Sequence, residues 1–294
     1  MKPTMRCWCG NETLSEFGAG FSLCESCQTL VSQRADVGGS SAASSGSGPS
    51  DLVSQSRADL TERCLPWLRS LLGFVLPPAR VLEAGCRHGG FAAMLEQAGY
   101  QASKLEVAGS NRRRATKKSG IDLVRGKADD QSIGGGSLDA MTLIDLVARF
   151  EEPSETLETC LSLLKPDGIL LIQTAAYPQP KTLAHFRKSG KTLPKLPDAS
   201  DHRFLFSEQS AALLFERLDA PFIEFLSADF CANEMSLVVS RAPLKHATPQ
   251  EQAAALAQSP NGKFVQAMLD LDDRRLDLLA QYRNISQQAQ RIAG

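Results

Sequence analysis

No apolar run in this 294-residue chain approaches the roughly 18 residues of a membrane span. The longest candidates, around Leu71–Leu76 and Ile169–Ile172, are far shorter. An excess of one charge is also missing: 32 Lys and Arg against 33 Asp and Glu leave a net charge of -1. A protein that tracks nucleic-acid phosphates carries a basic excess, so that class of partner is disfavoured. The first residues, Met1-Lys2-Pro3-Thr4-Met5-Arg6-Cys7, contain no apolar leader, which predicts a chain that stays in the reducing cytoplasm. There the eight cysteines are expected as metal ligands or buried thiols, not disulfides. What the chain does have is a 43% hydrophobic share, enough for a folded core.

Composition divides the chain into four parts. Residues 1–34 hold four of the eight cysteines. Residues 35–57 are a linker whose Gly/Ser-rich centre can bury nothing; its random-coil reach is about 20 Å. The head therefore either moves relative to the body or docks on it through other contacts. Residues 58–243 alternate strand and helix patterns. Strands are expected at Arg80–Ala84, Ala102–Val107, Ile121–Arg125, Leu138–Ile144 and Ile169–Thr174, and late strands at Phe222–Leu226 and Met235–Ser240. Helices are expected over about Gly90–Ala98, Ser154–Leu164 and Ser207–Leu218, and Lys165-Pro166-Asp167-Gly168 predicts a turn. The alternation predicts an α/β fold, a doubly wound parallel sheet with helices on both faces. Residues 244–294 read as helix. There Phe264, Met268, Leu271, Leu278, Tyr282 and Ile285 recur at four- and three-residue steps, interrupted by Arg275 and widened by Leu269, Leu276 and Leu279. Such a stripe either packs on the body or forms a short coiled coil for self-association.

The most informative stretch is Val81-Leu82-Glu83-Ala84-Gly85-Cys86-Arg87-His88-Gly89-Gly90. A strand ends on an acid, glycines bracket a tight turn, and a helix begins. Glycine lets backbone approach a ligand, and the new helix offers unpaired N–H groups. A dinucleotide fingerprint needs G-x-G-x-x-G, but Arg87 stands where its second glycine belongs. Glu83 would also face a pyrophosphate unfavourably. An acid there suits a cationic ligand, and the pattern is nearer E-x-G-x-x-x-G, the turn that holds S-adenosylmethionine. An ordinary strand–turn–helix is the plain alternative. Three more acids favour the ligand: Glu106, 21 residues after Gly85, Asp129 and Asp145 each follow or end a successive strand. Glu106 is suited to accept from both ribose hydroxyls, and Asp129 from an adenine amino group.

At the amino terminus, Cys7-x-Cys9 is followed after fourteen residues by Cys24-x2-Cys27. Two such knuckles suit a closed, structural four-thiolate Zn(II) site, with iron as the minor alternative. So short a segment, with few large apolar residues, needs a staple of this kind to fold. Cys64, Cys86, Cys160 and Cys231 are dispersed and read as buried thiols.

The stretches VLEAGCRHGGFAAMLEQAGY, SLDAMTLIDLVARFEEPSETLETCLSLLKPDGILLIQT and DHRFLFSEQSAALLFERL resemble class I S-adenosylmethionine-dependent methyltransferases. With RCWCGNETLSEFGAGFSLCESCQTLVSQ and SPNGKFVQAMLDLDDRRLDLLAQY, the chain is similar to a bacterial subgroup with a zinc-ribbon head, often found near polysaccharide assembly. The resemblance implies a Rossmann-like seven-stranded sheet with an antiparallel last strand. It implies that Gly85, Cys86, Arg87, His88 and Gly89 wrap the methionine part, with Glu106 on the ribose and Asp129 on the adenine. It also implies a hydroxyl acceptor on a glycan or glycan precursor. Where the family has D-V-L-E-H, this chain has Asp145-Leu146-Val147-Ala148-Arg149. The usual histidine is absent, and His202 and Asp201, on the loop the family folds over the acceptor, become the candidate bases. Arg149 is a candidate for an anionic acceptor. Two functions stay open. The four acids favour a methyltransferase. Arg87, Ala148 and Arg149 favour a degenerate scaffold or adaptor without turnover.

Overall fold

The structure is a computed structural model that describes residues 6–34, 60–85, 90–107, 123–124, 133–177, 196–226 and 233–293. The linker, Cys86, Arg87, His88, Gly89, Asp129 and Cys231 lie outside the described residues, as does the side chain of Glu106. The chain forms two compact units: Met1–Gly46 with Arg80–Gly89 and Ala102–Lys245, and Ser47–Ala79 with Gly90–Gln101 and His246–Gly294.

In the head, β1 (Leu14–Gly18), β2 (Phe21–Cys24) and β3 (Leu30–Ser32) pair antiparallel. The central strands are β4 (Arg80–Ala84), β5 (Gln101–Val107), β6 (Leu123–Val124), β7 (Leu138–Ile144) and β8 (Leu164–Ala175). The short β9 (Phe204–Leu205) is followed by β10 (Phe222–Leu226) and β11 (Glu234–Ser240). Among the described residues the main sheet has the order β10-β11-β8-β7-β4-β5-β6. Its middle is parallel, β4 with β7 and β7 with β8, and β11 runs antiparallel to β8. Two expectations are corrected. The expected third parallel strand is represented by β6, and it pairs antiparallel with β5. The Lys165–Gly168 turn is instead an irregularity inside β8, where the partner of β7 jumps from Leu164 to Ile169. Gly168 permits it, because a Cβ there would lie 2.9 Å from the Leu138 carbonyl oxygen.

The parallel strands are apolar nearly throughout, as burial on both faces requires. Helices α3 (Pro153–Leu163) and α4 (Glu208–Glu216) add Leu157, Cys160, Leu161, Ala211, Leu214 and Phe215 to the same core. Helix α4 starts at a capping box in which Ser207 and Ser210 each satisfy the other's backbone N–H.

The second unit holds α1 (Leu65–Leu72), α2 (Gly90–Ala98), α5 (Pro249–Leu256) and α6 (Gly262–Ala293). Its α6 buries Val265 and Leu269 together with Asp272. Arg69 of α1 reaches Asp272 at 2.7 Å, as does Arg275. The apolar stripe picked out by period lies elsewhere. Phe264, Leu271, Leu278, Tyr282 and Ile285 are each at least 64% exposed.

Burial pushes the Asp272 carboxyl up, but Arg69 and Arg275 prevail and hold it below the ordinary aspartate value. The stabilisation it gives is therefore present above the ordinary carboxylate range and lost as pH falls through the lowered value. Asp272→Ala should cost about 2 kcal/mol, less than a fully buried pair because both arginines are partly exposed. Thermal denaturation at neutral pH and near pH 3 checks both points: the loss should shrink at the lower pH.

Candidate functional site

The site assembles where β4 and β7 end side by side, Ala84 opposite Leu143. Glu83, one residue before the end of β4, is 5% exposed and paired in register with Thr142. Gly85 leaves the strand at φ +80°, and its N–H donates to the Leu105 carbonyl of β5 at 2.9 Å. A Cβ at Gly85 would meet Leu146 at 2.8 Å. The glycine is thus needed twice, for a left-handed backbone and for contact with the loop after β7. Glu106 stands at the end of β5, its backbone paired with Val124.

Asp145 follows β7 with φ +56°, uncommon for a residue with a side chain and frequent at working sites. Its N–H donates to the Gln173 carbonyl at 2.8 Å, which fixes that backbone. Two basic side chains converge on its carboxylate. Arg149 approaches Oδ2 at 2.8 Å, and His202 Nε2 lies 3.8 Å from Oδ1. The second separation is within charge range but too long for a hydrogen bond. Burial pushes the Asp145 carboxyl up, and His202 with Arg149 overcome it, leaving the group below its ordinary value.

His202 is oriented from its other nitrogen: Nδ1 is 3.0 Å from the Asp198 carbonyl oxygen. A carbonyl only accepts, so Nδ1 carries the proton and neutral His202 keeps its lone pair on Nε2, the nitrogen facing Asp145. Asp201, the expected neighbour, contributes a backbone N–H to the Asp198 carbonyl at 3.1 Å. Arg149 has its guanidinium occupied by Asp145, and Ala148 is fully buried, its carbonyl accepting from Arg203 N–H at 2.7 Å. Three features were missed from sequence: the Asp145–His202 approach, the Asp198 carbonyl and the head's hold on this loop. The first two depend on backbone that carries no motif. The third was signalled only by the small, β-prone run Thr29–Ser32.

The four head cysteines come together, their sulfur atoms all within 4.8 Å of one another. Cys7 and Cys27 sulfurs are 3.4 Å apart, Cys9 and Cys24 3.6 Å. A tetrahedron with Zn–S bonds of about 2.3 Å has edges of about 3.8 Å, so the cluster fits a zinc ion closely. The hydrogen bond between Cys7 and Cys27, with burial, pushes the Cys7 thiol up, while the same bond, helped by Thr29 and opposed by burial, draws the Cys27 thiol down to about 5. Thr29 Oγ1 lies 3.1 Å from Cys27 Sγ and accepts from Trp8 Nε1 at 2.8 Å, a support for the ligand from the layer behind it.

The family profile described as "Methyltransferase domain" matches residues 56–221, more than half of the chain. The chain belongs to the class I methyltransferase family. Among curated relatives it is 30% identical over 105 residues to a ubiquinone biosynthesis O-methyltransferase of Xanthomonas campestris pv. campestris, covering 34% of this chain and 44% of the relative. It is 25% identical over 100 residues to the enzyme of that name from Caulobacter vibrioides, covering 32% and 40%. The chain thus spans less than half the length of the curated relatives it matches. Among solved structures, 1,6-didemethyltoxoflavin-N1-methyltransferase of Burkholderia thailandensis is 19% identical with a TM-score of 0.40, over 65% of this chain and 84% of that one. A methyltransferase of Aquifex aeolicus is 14% identical with a TM-score of 0.40, over 66% and 97%.

In this family member Gly85→Ala should destabilise by about 1–3 kcal/mol, from positive-φ strain and overpacking on Leu146. Urea denaturation checks this, and Gly85→Ala combined with Leu146→Ala should recover part of the loss.

Proposed function

We propose that the protein transfers a methyl group from S-adenosylmethionine to an acceptor hydroxyl. The observation that carries this is that Glu83 and Asp145 stand at the ends of the adjacent strands β4 and β7, with His202 beside Asp145, in a methyltransferase-family chain. The acids suit a cationic donor. Glu83, Gly85, Cys86, Arg87, His88 and Gly89 would hold its methionine part, with Glu106 on the ribose and Asp129 on the adenine. Bound S-adenosylmethionine supplies an electrophilic methyl on a sulfonium sulfur. Transfer is an in-line displacement with a neutral leaving group, so alignment supplies much of the acceleration.

A hydroxyl acceptor must also lose a proton, and His202 Nε2 is the base we assign to it. Asp145 then stabilises the imidazolium that forms, and Arg149 keeps Asp145 ionised rather than binding the acceptor. Asp201 shapes the loop. Oxygen as the accepting atom agrees with the names of the curated relatives. The resemblance of the whole chain points to a glycan or glycan precursor as the molecule that bears it. The head cysteines, Cys7, Cys9, Cys24 and Cys27, hold one structural zinc ion. Elemental analysis should find one zinc per chain, and Cys24→Ser should lose it.

Calorimetric titration tests the donor site. S-adenosylmethionine and S-adenosylhomocysteine should both bind with micromolar affinity. Glu106→Ala should weaken binding at least tenfold, the size expected for losing hydrogen bonds to a charged group. Absence of binding to folded protein would favour the scaffold reading, in which Arg87 closes the crevice.

We infer further that the exposed stripe of α6 pairs with a second copy of this chain. Phe264, Met268, Leu271, Leu278, Tyr282 and Ile285 follow the alternating steps of a coiled-coil seam. Arg275, within the seam, is turned back to Asp272. With Leu279 beside them, these side chains offer on the order of 100 Å² each, or roughly 700 Å² per copy, close to half of a standard stable interface. Sedimentation should show a dimer that Leu278→Glu converts to monomer.

A further inference from the structure

We propose that the cysteine head is a positioning device for the loop that carries His202, and that Ser32 is the residue through which it acts. The inference rests on the reading of that loop as the acceptor side of the site. Strand β3 of the head pairs antiparallel with β9, Leu30 opposite Leu205 and Val31 opposite Phe204. This places a head strand directly beyond His202. Ser32, 1% exposed, then grips both sides of the histidine. Its N–H donates to the Arg203 carbonyl at 2.9 Å, and its Oγ donates to the Ala199 carbonyl at 2.7 Å. The loop has a third fixed point where Arg203 N–H meets the Ala148 carbonyl. His202 is thereby held between Ser32 on the head and the segment Asp145–Arg149 on the body.

The connection from the cysteines to Ser32 is short. Cys24 N–H donates to the Thr29 carbonyl at 2.9 Å, Gln28 N–H to the Cys24 carbonyl at 2.9 Å, and Thr29 lies against Cys27, so the knuckle leads straight into β3. The body holds that knuckle in turn. The Tyr177 hydroxyl donates to the Gln28 carbonyl, and Tyr177 packs edge-on against Phe17 at 6.0 Å. Arg217, at the end of α4, lies 5.4 Å over the Trp8 ring. Phe17, Phe21, Leu23 and Leu30 share one apolar cluster with Ala148, Ala175, Tyr177, Ala199 and Leu205. A bound zinc ion would fix the four thiolates and hence the knuckle. Its loss would free β3, and with it the pairing and the two Ser32 hydrogen bonds that set His202.

Hydrogen exchange and the imidazole nitrogen resonances of His202 test this on the full chain. Removing zinc with a chelator should speed exchange within β9, at Phe204 and Leu205, by roughly tenfold or more, as expected for opening a hydrogen-bonded pairing. The amides of β7 should stay protected. Ser32→Ala with zinc retained should move the His202 resonances while leaving the affinity for S-adenosylmethionine within about twofold. If chelation unfolds β7 as well, the Ser32→Ala spectra decide alone. Unchanged His202 resonances in Ser32→Ala, or unchanged exchange at 204–205 once zinc is gone, overturn the proposal. The base assignment fails separately: His202→Ala that still transfers methyl groups removes it, while the exchange result stands.

Discussion

The pairing of β3 with β9 is the constraint on which the first unit's arrangement depends. Two residue pairs are little backbone to join a cysteine knuckle to an α/β sheet, and such a short ladder is marginal in water. It persists because its side chains are shared. Leu30 and Leu205 lie in one apolar cluster with Phe21 and Tyr177, while Val31 and Phe204 lie in the main core with Cys7, Cys24 and Cys27. The head has too little apolar material to fold by itself, and the described loop before β9 adds only Leu196 and Ala199 to the shared cluster. Each supplies what the other lacks.

That constraint explains how the site can depart from the family pattern. The Glu and His usual after the β7 aspartate are Ala148 and Arg149 here, and both have become structural. Ala148 is small enough to be wholly buried; its N–H donates to Thr174 Oγ1 of β8, and its carbonyl accepts from Arg203 N–H of the His202 loop. Arg149 neutralises the carboxylate that His202 also approaches. His202 stands on a loop beside which the head strand β3 pairs with β9. Asp145 is the pivot, and its left-handed backbone carries strain that the hydrogen bond to Gln173 helps to hold.

Much of this was legible in the residues. The apolar runs gave β4, β7 and β8, because strands buried on both faces must be apolar throughout, and the Cys7, Cys9, Cys24 and Cys27 spacing gave the cysteine cluster. The direction of β6 was not legible, since two residues carry no period. Nor was the fate of Lys165–Gly168: turn chemistry describes local preference, while β8 continues through it on hydrogen bonds to β7. The stripe on α6 was found correctly by period, but period cannot say which of two adjacent faces is buried. Val265, Leu269 and Asp272 form the buried one, and the charged Asp272 hid it. At the site, acids and glycine were visible as types. The approach of His202 to Asp145 was not, because it is made by backbone geometry 57 residues apart in sequence.

A crystal structure of the zinc-loaded protein with S-adenosylhomocysteine bears on the whole account at once. The cofactor should lie across the ends of β4 and β5, its sulfur on the His202 side of Asp145, with β3 still paired to β9. A cofactor seated elsewhere, or a His202 turned away from that sulfur while the head pairing is intact, would contradict it.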